Sequence, residues 1–156
     1  IASIKQNLML EFSSVEIELN FPEQEGDISA CYIQQDTQQI KRLLQNLIQN
    51  ACKYGGGKVM ISIIDEQGRW LIRIEDNGAG IADHLKVSVF SPFTRVETSR
   101  NKQTGGIGLG LAIAKNISEL AGIQLSLSDS ELGGACFGVV VNKSNSSSSY
   151  LEAGAE

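Results

Sequence analysis

The chain predicts a two-layer α/β sandwich, a mixed sheet of about five strands with about three helices on one face. Three observations carry this expectation. Apolar residues recur at helical spacing over 40–51 and again over 111–120. Two pairs of β-type runs, 59–64 with 70–74 and 123–127 with 136–141, are each joined by a glycine-containing turn, as hairpins are. A further alternating run over 15–21 precedes the first helix.

In chain order, Val15 to Phe21 alternates apolar residues with Glu and Asn, the pattern of a half-buried strand. Pro22 to Asp27 is turn chemistry, and Ala30 to Ile33 is a weaker strand. Asp36 with Gln39 three residues later reads as a helix N-cap. Ile40, Leu43, Leu44, Leu47, Ile48 and Ala51 then form one apolar stripe, and Gly55-Gly56-Gly57 ends it. The hairpin over 59–74 turns at Glu66-Gln67-Gly68. Ala82 to Val89 is expected to be a short helix, and Ser91 to Thr104 a long loop without apolar periodicity. A helix follows from Gly110 to about Gly122, and the closing hairpin turns around Gly133-Gly134. The Ser-rich and then acidic stretch over 144–156 is expected to be a disordered tail, leaving one domain over 1–143.

The 156 residues suffice for one core without disulfides or metal. A net charge of −5 argues against a general nucleic-acid binder, which needs a basic face. Cys31, Cys52 and Cys136 are odd in number and lack C-x-x-C spacing, so they read as reduced, buried thiols of a cytosolic domain. No apolar run reaches membrane-spanning length, and no signal peptide pattern is present.

Three segments carry chemistry. In Gly105-Gly106-Ile107-Gly108-Leu109-Gly110-Leu111, alternate glycines let backbone N–H groups approach a ligand just ahead of a helix N-terminus, a junction suited to phosphate. Asn46, Asn50 and Lys53 are spaced i, i+4, i+7 and share a helix face beside the apolar stripe. An amide oxygen there suits Mg²⁺, and a lysine one turn on can reach a phosphate oxygen; a plain solvated face fits the same spacing. Asp76-Asn77-Gly78-Ala79-Gly80-Ile81 follows directly on a strand. A strand-ending turn explains it equally well, but a carboxylate behind an apolar run is buried and needs donors, which an adenine amino group would supply.

Together the order and spacing of these segments resemble the catalytic ATP-binding domain of sensor histidine kinases. Asn46 to Tyr54 is similar to that family's N box and Asp76 to Ile81 to its first glycine box. Phe90-Ser-Pro92-Phe93 is similar to the F box and Gly106 to Leu111 to the second glycine box. Gly133-Gly134-Ala-Cys-Phe137 is similar to a weaker third glycine motif, so the resemblance spans about residues 10 to 143.

The resemblance implies a Bergerat-type sandwich with Mg-ATP between the N-box helix and a flexible lid. Asn50 is then the Mg²⁺ ligand, with Asn46 supporting and Lys53 on phosphate. Tyr54 packs by the nucleotide, Asp76 reads the adenine amino group, and Gly78, Gly80 and Ile81 pass close to the base. Gly106, Ile107, Gly108, Leu109, Gly110 and Leu111 take the phosphates. Arg95 and Arg100 sit on the lid, where phosphate contact and a merely solvated basic loop fit equally. Phe90 and Phe93 are expected to anchor one end of that lid, and Trp70 to be a packing or strand-surface aromatic.

Other nucleotide folds fit poorly. A Walker A loop ending at Gly57-Lys58 needs glycine at 52 and Ser or Thr at 59, where Cys52 and Val59 stand. A dinucleotide fingerprint from Gly106 needs glycine at 111, which is Leu111. The gyrase, heat-shock chaperone and mismatch-repair branch uses a glutamate to polarise water where this chain has Asn46, and usually Asp where it has Lys53. Both differences favour phosphoryl transfer over hydrolysis.

The family's acceptor is a histidine on a separate helical dimerisation domain. The sole histidine, His84, lacks the flanking residues of such an acceptor and reads as a surface residue. The chain is therefore expected to be a catalytic module whose phosphoacceptor domain lies elsewhere, with residues 1–12 as the exit from it. The partners expected are that helical domain and a response regulator, within a homodimeric parent whose cytoplasmic portion this is. A nucleotide-binding sensor or scaffold without transfer is the alternative.

Overall fold

The computed structural model describes residues 13–20, 36–94 and 108–143. The strand expected over 30–33, the segment 1–12 and the tail from 144 lie outside the described residues. The elements are β1 (Glu16–Asn20), α1 (Thr37–Tyr54), β2 (Lys58–Glu66), β3 (Arg69–Asp76), α2 (Gly110–Leu120), β4 (Gln124–Asp129) and β5 (Ala135–Asn142). The strands form one five-stranded sheet in the order β1-β2-β3-β5-β4. β1 runs parallel to β2, and the other pairs are antiparallel, so the sheet is mixed as expected.

Strand periodicity sorts the side chains between faces. Ile17, Val59, Ile61, Ile72, Ile74, Phe137, Val139 and Val141 are buried with the α1 stripe Ile40, Leu43, Leu44, Leu47, Ile48 and Ala51. From α2, Ala114 and Ile117 join the same core, which makes two layers. The Asp36 carboxylate accepts from the Gln38 amide at 2.8 Å to cap α1, and Gly55 N–H donates to the Ala51 carbonyl at its end. The β2–β3 turn places Gly68 at φ 79, a conformation glycine adopts without strain. Cys52 and Cys136 are buried thiols. Trp70 is half-buried on the strand, with Lys143 Nζ 4.1 Å from its ring centroid.

The single short helix expected over 82–89 is instead two 3₁₀ turns, Asp83–Leu85 and Ser88–Phe90. The reason is that the segment has no helical stripe to bury. Val89 is buried, whereas Val87 is 85% exposed. Lys86 ties the segment to the end of β4, its Nζ 2.7 Å from Asp83 and 2.8 Å from Asp129.

Candidate functional site

The C-terminal end of β3 carries the most constrained residue of the site. Asp76 is only 5% exposed, and its Oδ1 accepts from the N–H groups of Gly78 at 2.9 Å and Ala135 at 3.2 Å. Its backbone carbonyl accepts from Gly134 N–H at 3.1 Å. Both of these side-chain bonds go to Oδ1, and Oδ2 receives no protein donor among the described residues. Burial pushes the carboxyl above its ordinary value, and the Gly78 and Ala135 amides pull part of the way back. The donors a buried carboxylate requires are thus partly backbone, with one oxygen left for a ligand.

Glycines make that position possible. A Cβ on Gly55 would lie 2.3 Å from the Asp76 Cβ, and one on Gly78 would lie 2.6 Å from the Tyr54 carbonyl. The end of α1 and the loop after β3 therefore touch backbone to backbone. Asn77 reinforces the seam, its Oδ1 accepting from Lys58 N–H at 2.8 Å. Sequence reading treats Gly55 and Gly56 only as a helix stop, because their neighbour across the seam is distant in sequence. Gly80, at φ 70, and Ile81 border a cleft of about 300 Å³ that also takes in Gly133 and Gly134. A larger hollow, about 510 Å³, lies over the first turns of α1 around Gln38 and Arg42 and includes none of the site residues.

On α1, Asn46, Asn50 and Lys53 are half-buried beside the core stripe, and Tyr54 is 43% exposed. Asn46 Nδ2 donates to the Arg42 carbonyl at 2.8 Å, and its Oδ1 would stand 3.5 Å from a Cβ on Gly110. The N-terminus of α2 is thereby brought against the polar face of α1. The Asn50 and Lys53 side chains engage no protein group among the described residues. Gly108, Leu109, Gly110 and Leu111 lie at the start of α2, each partly exposed. Gly106, Ile107, Arg95 and Arg100 lie outside the described residues.

The two stems of the 95–107 segment meet, because Phe93 N–H donates to the Gly108 carbonyl at 3.1 Å. Phe90 packs edge-on against Phe137 with centroids 6.4 Å apart, so it is anchored in the core. Phe93 is not a buried anchor. It is 70% exposed at φ 63, and it holds the stem through its backbone, leaving its ring in solvent. His84 is exposed, as expected of a surface histidine.

A family model described as histidine kinase-, DNA gyrase B-, and HSP90-like ATPase matches residues 35–145. The sensor protein RstB of Escherichia coli (strain K12) is 40% identical over 110 residues, 70% of this chain and 25% of RstB. The sensor histidine kinase YkoH of Bacillus subtilis (strain 168) is 38% identical over 103 residues, 66% of this chain and 23% of YkoH. The chain thus spans about a quarter of the length of these curated relatives. Among solved structures, the ATP binding domain of PrrB from Mycobacterium tuberculosis shares the fold. Its TM-score is 0.69 at 24% identity, covering 92% of this chain and 90% of that one.

Proposed function

We propose, for a chain that belongs to the histidine kinase-, DNA gyrase B-, and HSP90-like ATPase family, that it binds Mg-ATP and phosphorylates a histidine on a separate helical dimerisation domain. The observation that carries this reading is Asp76, locked by two backbone amides through Oδ1 with Oδ2 left over. A fixed, partly desolvated carboxylate oxygen accepts from the amino group of adenine, and the carbonyl of guanine offers it nothing. Gly78, Gly80 and Ile81 form the adjoining wall, and Tyr54 packs by the nucleotide.

Asn46 and the start of α2 adjoin, so phosphates entering over α1 meet the glycine-rich start of α2 at Gly108 to Gly110, and Gly106 and Ile107 are assigned to the same role from the sequence alone. The donor set fits Mg²⁺: Asn50 has an amide oxygen that no described protein group uses, on the side of α1 that faces this junction in the family reading. When bound, Mg²⁺ supplies neutralisation of phosphate charge. Lys53 adds a point charge for a phosphate oxygen, and Arg95 and Arg100, outside the described residues, are assigned the same role from the sequence alone. The acceptor histidine nitrogen forms the new N–P bond while the bond from the γ-phosphorus to the β-bridging oxygen breaks, and ADP leaves. Asn46 holds no proton-accepting group, which disfavours activation of water.

The phosphoryl group would then pass to a response regulator, and the parent would be a homodimeric sensor with this domain in the cytoplasm. No helix among the described residues is long and apolar enough to cross a membrane. The test is incubation with γ-labelled ATP and the purified helical domain of the parent. Label on the acceptor histidine is expected. Nucleotide binding without label would make the chain a sensor or scaffold module instead.

A further inference from the structure

The turn between β4 and β5 reaches both faces of β3. Ser130, only 8% exposed, closes it: its N–H donates to the Gly134 carbonyl at 2.9 Å, and its carbonyl accepts from Gly133 N–H at 3.0 Å. Its Oγ accepts from Leu132 N–H at 3.0 Å and donates, at a long 3.4 Å, to Glu75 Oε1. Glu75 is 2% exposed, and the same Oε1 accepts from Arg73 Nη2 at 3.1 Å. Adjacent strand residues point to opposite faces, so Glu75 grips the turn from behind the sheet while Asp76 faces the helices. The next two amides of the turn are the ones already found on Asp76, Gly134 on its carbonyl and Ala135 on its Oδ1.

We infer that Ser130, anchored by Glu75, is a positioning residue for base selection. It sets the turn so that the Ala135 amide occupies Oδ1 of Asp76 and only Oδ2 is presented to the base. This rests on the reading of Asp76 as the adenine acceptor. The two oxygens of a carboxylate are chemically equivalent, so selectivity depends on what holds the group in one orientation. Gly78 holds it from within the same loop, only two residues on. Ala135 holds it from a different strand, and its placement is what Ser130 fixes. Burial of Glu75, which would otherwise cost stability, is offset chiefly by Arg73 at 3.1 Å, with the Ser130 contact added to it.

The experiment is calorimetric titration of Mg-ADP and Mg-GDP into this chain as wild type, Asp76→Asn, Ser130→Ala, Ser130→Thr and Glu75→Met. A merely structural role would weaken both nucleotides alike, whereas a positioning role lowers the ratio of the two affinities. Ser130→Ala is expected to cut the ADP-over-GDP preference by about tenfold, the worth of one misplaced hydrogen bond, and Ser130→Thr to restore it. Glu75→Met, which removes the anchor and leaves the hydroxyl, is expected to cut it in the same direction. It decides alone if Ser130→Ala does not fold. A preference that Asp76→Asn abolishes but both Ser130→Ala and Glu75→Met leave intact overturns the inference and leaves the role of Asp76 standing. A wild type without preference removes the role of Asp76 itself, and the inference with it.

Discussion

A Cβ on Gly134 would lie 2.0 Å from Oδ1 of Asp76, well inside any non-bonded contact. The absence of a side chain at the start of β5 is therefore what allows a buried carboxylate to stand at the end of β3. The same Cβ would lie 2.5 Å from the Asp76 carbonyl and 2.6 Å from Gly78 N, so no rotation of one side chain relieves it.

Gly134→Ala is accordingly expected to destabilise the fold by about 2 kcal/mol or more and to abolish ADP binding. Gly133→Ala is the control. Gly133 has open space around its missing Cβ but sits at φ 104, so the cost is backbone strain of about 1–2 kcal/mol, with ADP binding retained. Urea denaturation and ADP titration of the two variants read both effects. Equal ADP affinity in Gly134→Ala and wild type would sink the packing argument.

Asp76→Asn keeps an oxygen for the Gly78 and Ala135 amides but turns the other acceptor into a donor. Binding of ADP should weaken, and GDP, with a carbonyl at that place, should gain relative to it. A pH effect accompanies this. The folded-state pKa of Asp76 is raised, so the folded protein binds this proton more tightly than the unfolded chain. The favourable contribution is complete below the ordinary carboxylate value of about 4 and is lost as pH rises through the raised one. Asparagine has no such term. The stability of the variant relative to wild type, followed by urea denaturation, should thus increase as pH rises from the ordinary carboxylate value of about 4 through the raised one. A difference independent of pH would contradict the shift.

Asn50→Ala should weaken Mg-ATP binding and abolish transfer without disturbing the fold. Its side chain is half-buried and bonds to no described protein group, so its removal leaves no described group unsatisfied. Titration with and without Mg²⁺ measures this, and an unchanged Mg²⁺ dependence would dismiss the ligand role.

Leu47→Ala should cost about 2–5 kcal/mol, since Leu47 is fully buried between α1 and the sheet. Leu120→Ala, at a residue 82% exposed on α2, should change stability by no more than about 0.5 kcal/mol. Chemical denaturation of the pair tests whether the core lies where the apolar stripe places it.

Local periodicity made much of the fold legible without coordinates. The spacing of Ile40, Leu43, Leu44, Leu47, Ile48 and Ala51 announces α1, and all six are buried. Alternation along 59–64 and 70–74 announces the β2–β3 hairpin, and its turn at Gly68 falls where the glycine stands. Such signals survive because a residue's neighbours within a helix or hairpin are fixed by its own sequence position. Where no local stripe exists, as over 82–90, the sequence indicates only that something short forms, and ion pairs from Lys86 decide its shape.

For the site, the chain by itself determined which chemistry is present: two amides and a lysine on one helix face, a carboxylate at a strand end, and glycines ahead of a helix. Only the tertiary structure decided how Asp76 is held. Its partner Ala135 is 59 residues away in sequence, and Gly55 reaches it from the end of α1. The strand order β1-β2-β3-β5-β4, which sets β5 beside β3, is what brings them together. A sequence motif names the residue that needs donors, but the donors are backbone N–H groups, which every residue except proline carries alike. Which of them arrives is therefore written in the packing of strands and not in the side chains that a sequence displays.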